Sequence, residues 1–153
     1  MPITFQAARL ADLAELLILM KELQKDDPWS CPFEEAVASR VTADLLSDPS
    51  LGRTWLICDG PARIGYIVMA FDYSLEYRGR GAWVDEFFVR PAYRGQGIGT
   101  QALAFFAQQA KELGATVVHL EVNHGNPAIE LYRRLAFEDH QRYLMTRWII
   151  PKP

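Results

Sequence analysis

An apolar run that stops at a proline, three glycines at alternate positions, and then a long amphipathic stretch follow one another between Val84 and Leu113. This order constrains the chain more than any other feature. Its centre reads Val84-Asp85-Glu86-Phe87-Phe88-Val89-Arg90-Pro91-Ala92-Tyr93-Arg94-Gly95-Gln96-Gly97-Ile98-Gly99-Thr100. Glycines let a backbone approach a ligand closely and aim successive N–H groups into one small space. A helix that starts there adds its unpaired first-turn donors and the positive end of its dipole. Strand, glycine turn and helix together predict a seat for a phosphate or pyrophosphate. Two common phosphate binders do not fit. The glycines fall at 95, 97 and 99, which is not G-x-G-x-x-G, and no lysine follows in the manner of a G-x-x-x-x-G-K-[ST] loop.

A second element lies downstream of the apolar run Val117 to Val122: Asn126-Pro127-Ala128-Ile129-Glu130-Leu131-Tyr132-Arg133-Arg134-Leu135-Ala136-Phe137. Taken together, the two segments resemble the GNAT superfamily of acyl-CoA-dependent N-acetyltransferases. That signature is [Q/R]-x-x-G-x-[G/A] after a central strand, then N-x-x-A-x-x-x-Y with a closing Gly-Phe. Arg94, Gly97 and Gly99 fill the first pattern; Asn126, Ala128 (one place early) and Tyr132 fill the second. The chain departs at one point, with Ala136 where the family has glycine. A left-handed helix cap there would cost alanine about 1 kcal/mol.

The 153 residues suit one domain, 1–153, with a sizeable core. A net charge of −3 argues against a nucleic-acid partner, which would bring a basic excess. Leu13 to Leu23, broken by Glu15 and Lys21, is too short to span a membrane and is no signal peptide. Cys31 and Cys58 make neither a disulfide framework nor a metal spacing, so the expected setting is the reducing cytoplasm. His119, His124 and His140 show no zinc-like spacing, and no metal is expected. Arg78, Arg80, Arg90 and Arg94 are expected around the phosphate seat.

Periodicity predicts a strand at Ile3–Ala7 and a helix capped by Asp12, with Leu13, Leu16, Leu17, Met20 and Leu23 on one face. Phe33–Leu46 reads as a second helix, closed by Asp48-Pro49. Thr54–Cys58 and Ile64–Phe71 flank Asp59-Gly60-Pro61-Ala62 as a hairpin. Tyr73–Gly81 reads as a long loop into the strand Ala82–Val89. A helix from about Gly97 to Leu113, a strand at Val117–Val122, a helix at Pro127–Leu135 and one or two strands in Glu138–Ile150 complete the order β-α-α-β-β-β-α-β-α-β-β. This is an α/β layout. The resemblance implies the GNAT fold: a central, mixed, twisted sheet of six to seven strands with about four helices. It also implies that the parallel strands flanking the phosphate-binding helix splay apart to admit pantetheine.

Acetyl transfer from a thioester to an amine requires amine deprotonation, carbonyl polarisation, protonation of the leaving sulfur, and alignment. The backbone of Arg94, Gly95, Gln96, Gly97, Ile98, Gly99 and Thr100 is expected to hold the CoA pyrophosphate. By resemblance, main-chain groups of Phe87 and Val89 contact pantetheine, and an N–H at or near Phe87 faces the acetyl oxygen, a donor worth roughly 3 kcal/mol in a dry site. By the same resemblance, Asn126 bonds the CoA arm and Tyr132 is the acid; Asn126 also suits a helix N-cap. Diamine acetyltransferases carry a comparable acidic pair before Phe-Phe-Val. Strand alternation sends Asp85 and Glu86 to opposite faces, with Asp85 beside Phe87, and it does not choose the base among Asp85, Glu86 and Glu121. Asp26, Asp27, Trp29 and Glu76, acids among aromatics, suit a cationic acceptor.

The resulting expectation is acetylation of a small primary amine from acetyl-CoA by direct attack in a ternary complex, without an acetyl-cysteine step. Two alternatives are a transferase for protein N-termini or lysines and a non-catalytic acyl-CoA sensor. The apolar tail Trp148-Ile149-Ile150 suits a homodimer or closure of the sheet.

Overall fold

The computed structural model describes residues 1–153. It contains five strands, β1 (Ile3–Ala7), β2 (Gly52–Asp59), β3 (Ala62–Ser74), β4 (Gly79–Val89) and β5 (Val117–Leu120). Four helices accompany them: α1 (Leu13–Asp26), α2 (Glu35–Ser47), α3 (Ile98–Glu112) and α4 (Ala128–Arg134). The strands form one sheet in the order β1-β2-β3-β4-β5, antiparallel throughout except for the parallel pair β4 and β5. No helix is long and apolar enough to cross a membrane.

Alternation along the strands sorts the core into two layers. Leu56, Tyr66, Val68 and Phe88 face one side, where Leu16, Leu19 and Met20 of α1 and Ala38 of α2 cover them. Trp55, Ile67, Met69, Ala82 and Val84 face the other, under Leu103, Phe106 and Ala110 of α3. Leu131 and Tyr132 of α4, and Leu135 at its C-terminal cap, pack against this second layer.

Three sequence expectations are corrected. Tyr73–Gly81 is not a long loop: β3 and β4 pair out to Ser74 and Gly79, so only four residues turn. The glycines at 79 and 81 weaken the periodic signal without preventing pairing. Glu138–Ile150 forms no strand, which leaves five strands rather than six or seven. An Asx turn, in which Gln141 N–H donates to Asp139 Oδ1 at 2.8 Å with Gln141 at φ 51°, breaks that segment where an extended run would start. Tyr143, Met145 and Ile149 stand 94%, 89% and 94% exposed. Asp12 does sit at the N-cap of α1, but its carboxylate turns back to accept the Arg9 N–H at 2.9 Å.

Candidate active site

β4 and β5 are joined only from Gly81/Val117 to Val84/Leu120. Beyond that point β4 continues for five more residues while β5 ends. The strands thus part at Val84, and the β5-facing N–H and C=O groups of Asp85 to Val89 lose their ladder partner. A cleft of about 1110 Å³ fills the gap. Its walls are the last residues of β4, the turn into α3, residues 120–128 and the first turns of α4.

The glycine turn before α3 lines the cleft through Arg94, Gly95, Gly97, Ile98, Gly99 and Thr100. Gly95 and Gly97 take left-handed φ values of 73° and 77°, and a Cβ on either would meet nothing within 4 Å. Their hydrogens therefore face open space, which a side chain would occupy. The first helical bond of α3 is Gln101 N–H to Gly97 O at 3.1 Å, so the N–H groups of Ile98, Gly99 and Thr100 have no helical partner. Gly99 serves packing instead. A Cβ there would press to 3.0 Å from Leu131 Cδ2, so its absence lets α3 and α4 touch.

Arg94 does not stand free at this seat. Its Nε donates to Val89 O at 2.7 Å, its other arm pairs with Asp26, and its guanidinium lies 5.6 Å from the Phe88 ring. Arg90 grips Glu22 with two bonds of 2.8 Å, and that hydrogen bonding, helped by the guanidinium charge, lowers the Glu22 carboxyl. These two pairs tie the end of α1 to the turn. Arg78 and Arg80 are not at the seat. They lie at the opposite end of β4, ten residues away at about 3.4 Å each, and Arg80 stacks on Phe71 at 4.4 Å.

A bulge decides the position of the acids. Val68 pairs with Glu86 and Met69 with Val84, which leaves Asp85 unopposed. Two residues of β4 therefore face one of β3, and strict alternation fails. Ala82 and Val84 accordingly share a face with Phe87, and Asp85 no longer lies beside Phe87 as alternation predicts. Asp85 and Glu86 both line the cleft and both line a second cavity on the α1/α2 side. Glu86 Oε2 accepts the Tyr66 hydroxyl at 2.6 Å. Burial, reinforced by the charge of Asp85, pushes the Glu86 carboxyl up to about 7 against the pull of that hydrogen bond. Desolvation also raises Asp85. Burial first, and then the charge of Glu86, drives the Tyr66 phenol far above its ordinary range, so it remains a donor.

Tyr132 lines the cleft from α4. The end of this helix is a Schellman motif, with Phe137 N–H on Tyr132 O at 3.0 Å and Ala136 N–H on Arg133 O at 3.1 Å. Ala136 occupies the left-handed position at φ 64°, so the strain expected from the missing glycine is present. The Phe137 ring meets Tyr132 edge-on at 5.9 Å, which holds the phenol from behind. Burial, and then the charge of Asp27, raises the Tyr132 phenol and keeps it protonated at neutral pH. Asn126 lines the cleft too, and its Oδ1 accepts the Ala128 N–H at 2.9 Å as a cap.

The remaining candidates separate. Trp29 lines both cavities. Asp26 and Asp27 line the cleft, Asp26 held by Arg94 and Asp27 accepting a bond from Asn123 Nδ2 at 2.9 Å. Glu121 lines the cleft as well. Glu76 lines neither cavity; it pairs with Arg142 of the tail at 2.8 Å. Sequence reasoning did not find Tyr66, which sits in the interior of β3 and reads as core. Its only signal would have been pairing with the acidic residues of β4.

The acetyltransferase (GNAT) family matches residues 16–137. The thialysine N-epsilon-acetyltransferase of Mus musculus is 36% identical over 146 residues, covering 86% of this chain and 82% of that protein. Its Bos taurus counterpart is 28% identical over 151 residues, with 90% and 85% covered. An integron cassette protein from the mobile metagenome of Cole Harbour Salt Marsh superposes with a TM-score of 0.83 at 35% identity, covering 96% and 91%. A predicted acetyltransferase from Clostridium acetobutylicum, solved with acetyl-CoA, shares the fold at a TM-score of 0.80 and 20% identity, covering 95% and 96%. The chain belongs to the GNAT family of acetyltransferases. It is an acetyl-CoA-dependent acyltransferase that acts on an amine.

Proposed function

We propose that the acceptor is a small, cationic primary amine and that it attacks directly, with acetyl donor and amine bound together. The observation that carries this reading is the bulge at Asp85, with two adjacent carboxylates, Asp85 and Glu86, in the wall of the cleft. A protonated amine is drawn to that pair by charge. Glu86, poised near neutrality, is suited to take a proton from it.

The cradle residues fit the cofactor: open, left-handed Gly95 and Gly97 with three unpartnered N–H groups suit a pyrophosphate, and the β4 edge that β5 leaves open beyond Val84, up to the Val89 carbonyl that Arg94 already holds, suits an amide-bearing arm. Acetyl-CoA supplies a thioester whose carbonyl is open to attack and whose sulfur can leave. Of the two protons the ammonium must shed, Glu86 accepts one before the N–C bond forms. Tyr132 gives its phenolic proton to the sulfur as the C–S bond breaks, and the second proton from nitrogen restores the phenol. Glu86 then releases its proton to water, so one proton leaves per turnover.

Neither Cys31 nor Cys58 lines the cleft, which supports direct attack over an acetyl-cysteine route. Both thiols are free, in keeping with a reducing, cytoplasmic setting. The exposed apolar tail supports a homodimer as the working assembly.

Initial rates with both substrates varied test the reading: a ternary complex gives intersecting double-reciprocal lines, and parallel lines overturn it. Tyr132→Phe should lower kcat by about 10–100-fold while acetyl-CoA binding by calorimetry persists. An unchanged kcat would remove Tyr132 from the chemistry.

A further inference from the structure

The second cavity, about 420 Å³, lies between α1, α2 and the sheet on the side away from α3. Its size falls within the roughly 300–1,000 Å³ of small-molecule sites. It shares Trp29, Asp85 and Glu86 with the cleft, so those three residues stand where the two spaces meet. The rest of its wall is chiefly hydrocarbon and aromatic: Leu16, Met20, Val41, Leu45, Val68 and Phe71.

Such a chamber is a poor host for a second ammonium group or a polyhydroxylated ring. Beyond Asp85 and Glu86 it holds no charged side chain, and burying an unpaired charge is costly. It does hold one unsatisfied polar atom. Thr54, only 5% exposed, lines the cavity with its hydroxyl unpartnered. Buried hydroxyls normally have a partner, so an orphan in a ligand-sized space points to a group that arrives with the ligand.

Resting on the acetyltransferase reading above, we infer that this chamber receives the body of the acceptor, and that the acceptor is an amphipathic monoamine. Its single amino group lies at Asp85 and Glu86, where it meets the acetyl donor. A short aliphatic or aryl-alkyl body fills the chamber, and one hydrogen-bonding atom in that body reaches Thr54. Trp29, which lines both spaces, packs its ring 5.7 Å from that of Phe33. The acids recognise the amine, and the chamber recognises what carries it.

The experiment is a panel of primary amines assayed by thiol release from acetyl-CoA, with calorimetric binding of CoA measured on the same protein. The series ethylamine to hexylamine, with 2-phenylethylamine, is set against putrescine, spermidine, lysine and an aminoglycoside. The expected result is a kcat/KM that rises about fourfold per added methylene, with the aryl-alkyl amine well above every polycation. Turnover of the polycations with a flat alkyl series would overturn the chamber's role and leave the acetyltransferase reading standing. Silence toward every amine despite CoA binding would overturn both. Val41→Trp, at the partly exposed rim of the chamber, should flatten the alkyl series, costing hexylamine at least tenfold relative to ethylamine. A hexylamine-to-ethylamine ratio that survives in a variant with an unchanged melting curve would overturn the assignment.

Discussion

The cradle at residues 94–100 and the junction at Asp85 and Glu86 lie within fifteen residues of each other, yet they are assembled differently. The cradle is made from consecutive residues whose own backbone preferences create it: glycines at φ 73° and 77°, then a helix start with free donors. The junction has almost no local cause. It exists because β3 and β4 slip by one residue, because Tyr66 from β3 reaches Glu86, and because α1 ends against the turn through Glu22–Arg90 and Asp26–Arg94. The glycine turn is thus written in one short segment, whereas the acidic junction is distributed over β3, β4 and α1.

The sharpest way to break this contrast is at Glu86. Glu86→Gln keeps an acceptor for the Tyr66 hydroxyl but removes the base, and kcat/KM should fall by about 10²–10⁴. The rising limb of the pH profile near pH 7 should vanish with it. A variant that retains a limb near 7 would assign that ionisation to another group.

The same substitution should stabilise the fold. The Glu86 carboxyl lies at about 7 in the folded chain against an ordinary 4.5, so ionisation favours the unfolded state. Stability is full below pH 4.5, declines as pH rises toward 7, and stays reduced above it. At ~1.4 kcal/mol per pH unit the loss approaches about 3 kcal/mol. Denaturant melts of Glu86→Gln should therefore show a gain of about 1–3 kcal/mol over the parent at about pH 8 that shrinks toward about pH 4. A gain independent of pH would point to packing instead.

Effects at the cradle should be smaller and should leave the base alone. Gly97→Ala puts a side chain at φ 77° where the ligand is expected, so acetyl-CoA affinity should drop by at least about fivefold from backbone strain of about 1 kcal/mol. Calorimetry reads this, and the pH midpoint of the remaining activity should not move. Smallest of all, Ala136→Gly relieves a left-handed alanine and should add about 0.5–1 kcal/mol of stability, a rise of about 1–4 °C in Tm. A lower Tm would mean that the alanine side chain packs well enough to outweigh its strain.

Much of this was legible beforehand, and the reasons for success and failure are physical. The helices α1 to α4 and the hairpin β2–β3 follow from periodicities of 3.6 and 2 that single side chains carry. The glycine turn is legible from local backbone preference, and the Asn126–Tyr132 segment from its resemblance to the family pattern. Alternation puts Asp85 on the face of Phe87 because it has no way to register a bulge, which depends on how a partner strand is spaced. Its neighbours in sequence group Glu76 with substrate acids, whereas tertiary contact gives it to Arg142. The tail read as strand because its residues favour extended structure, but a strand needs a partner edge and the Asp139 turn leads it away.

The sequence alone determined which residues are apolar, where glycine permits left-handed backbone, and hence the layered αβ fold and the glycine turn before α3. Tertiary structure decided where β4 and β5 part, which acids meet in the gap, and that an apolar chamber opens behind them. The reason is range: backbone preference and side-chain period act over a few neighbours, whereas register, desolvation and cavities are properties of surfaces that only folding brings together.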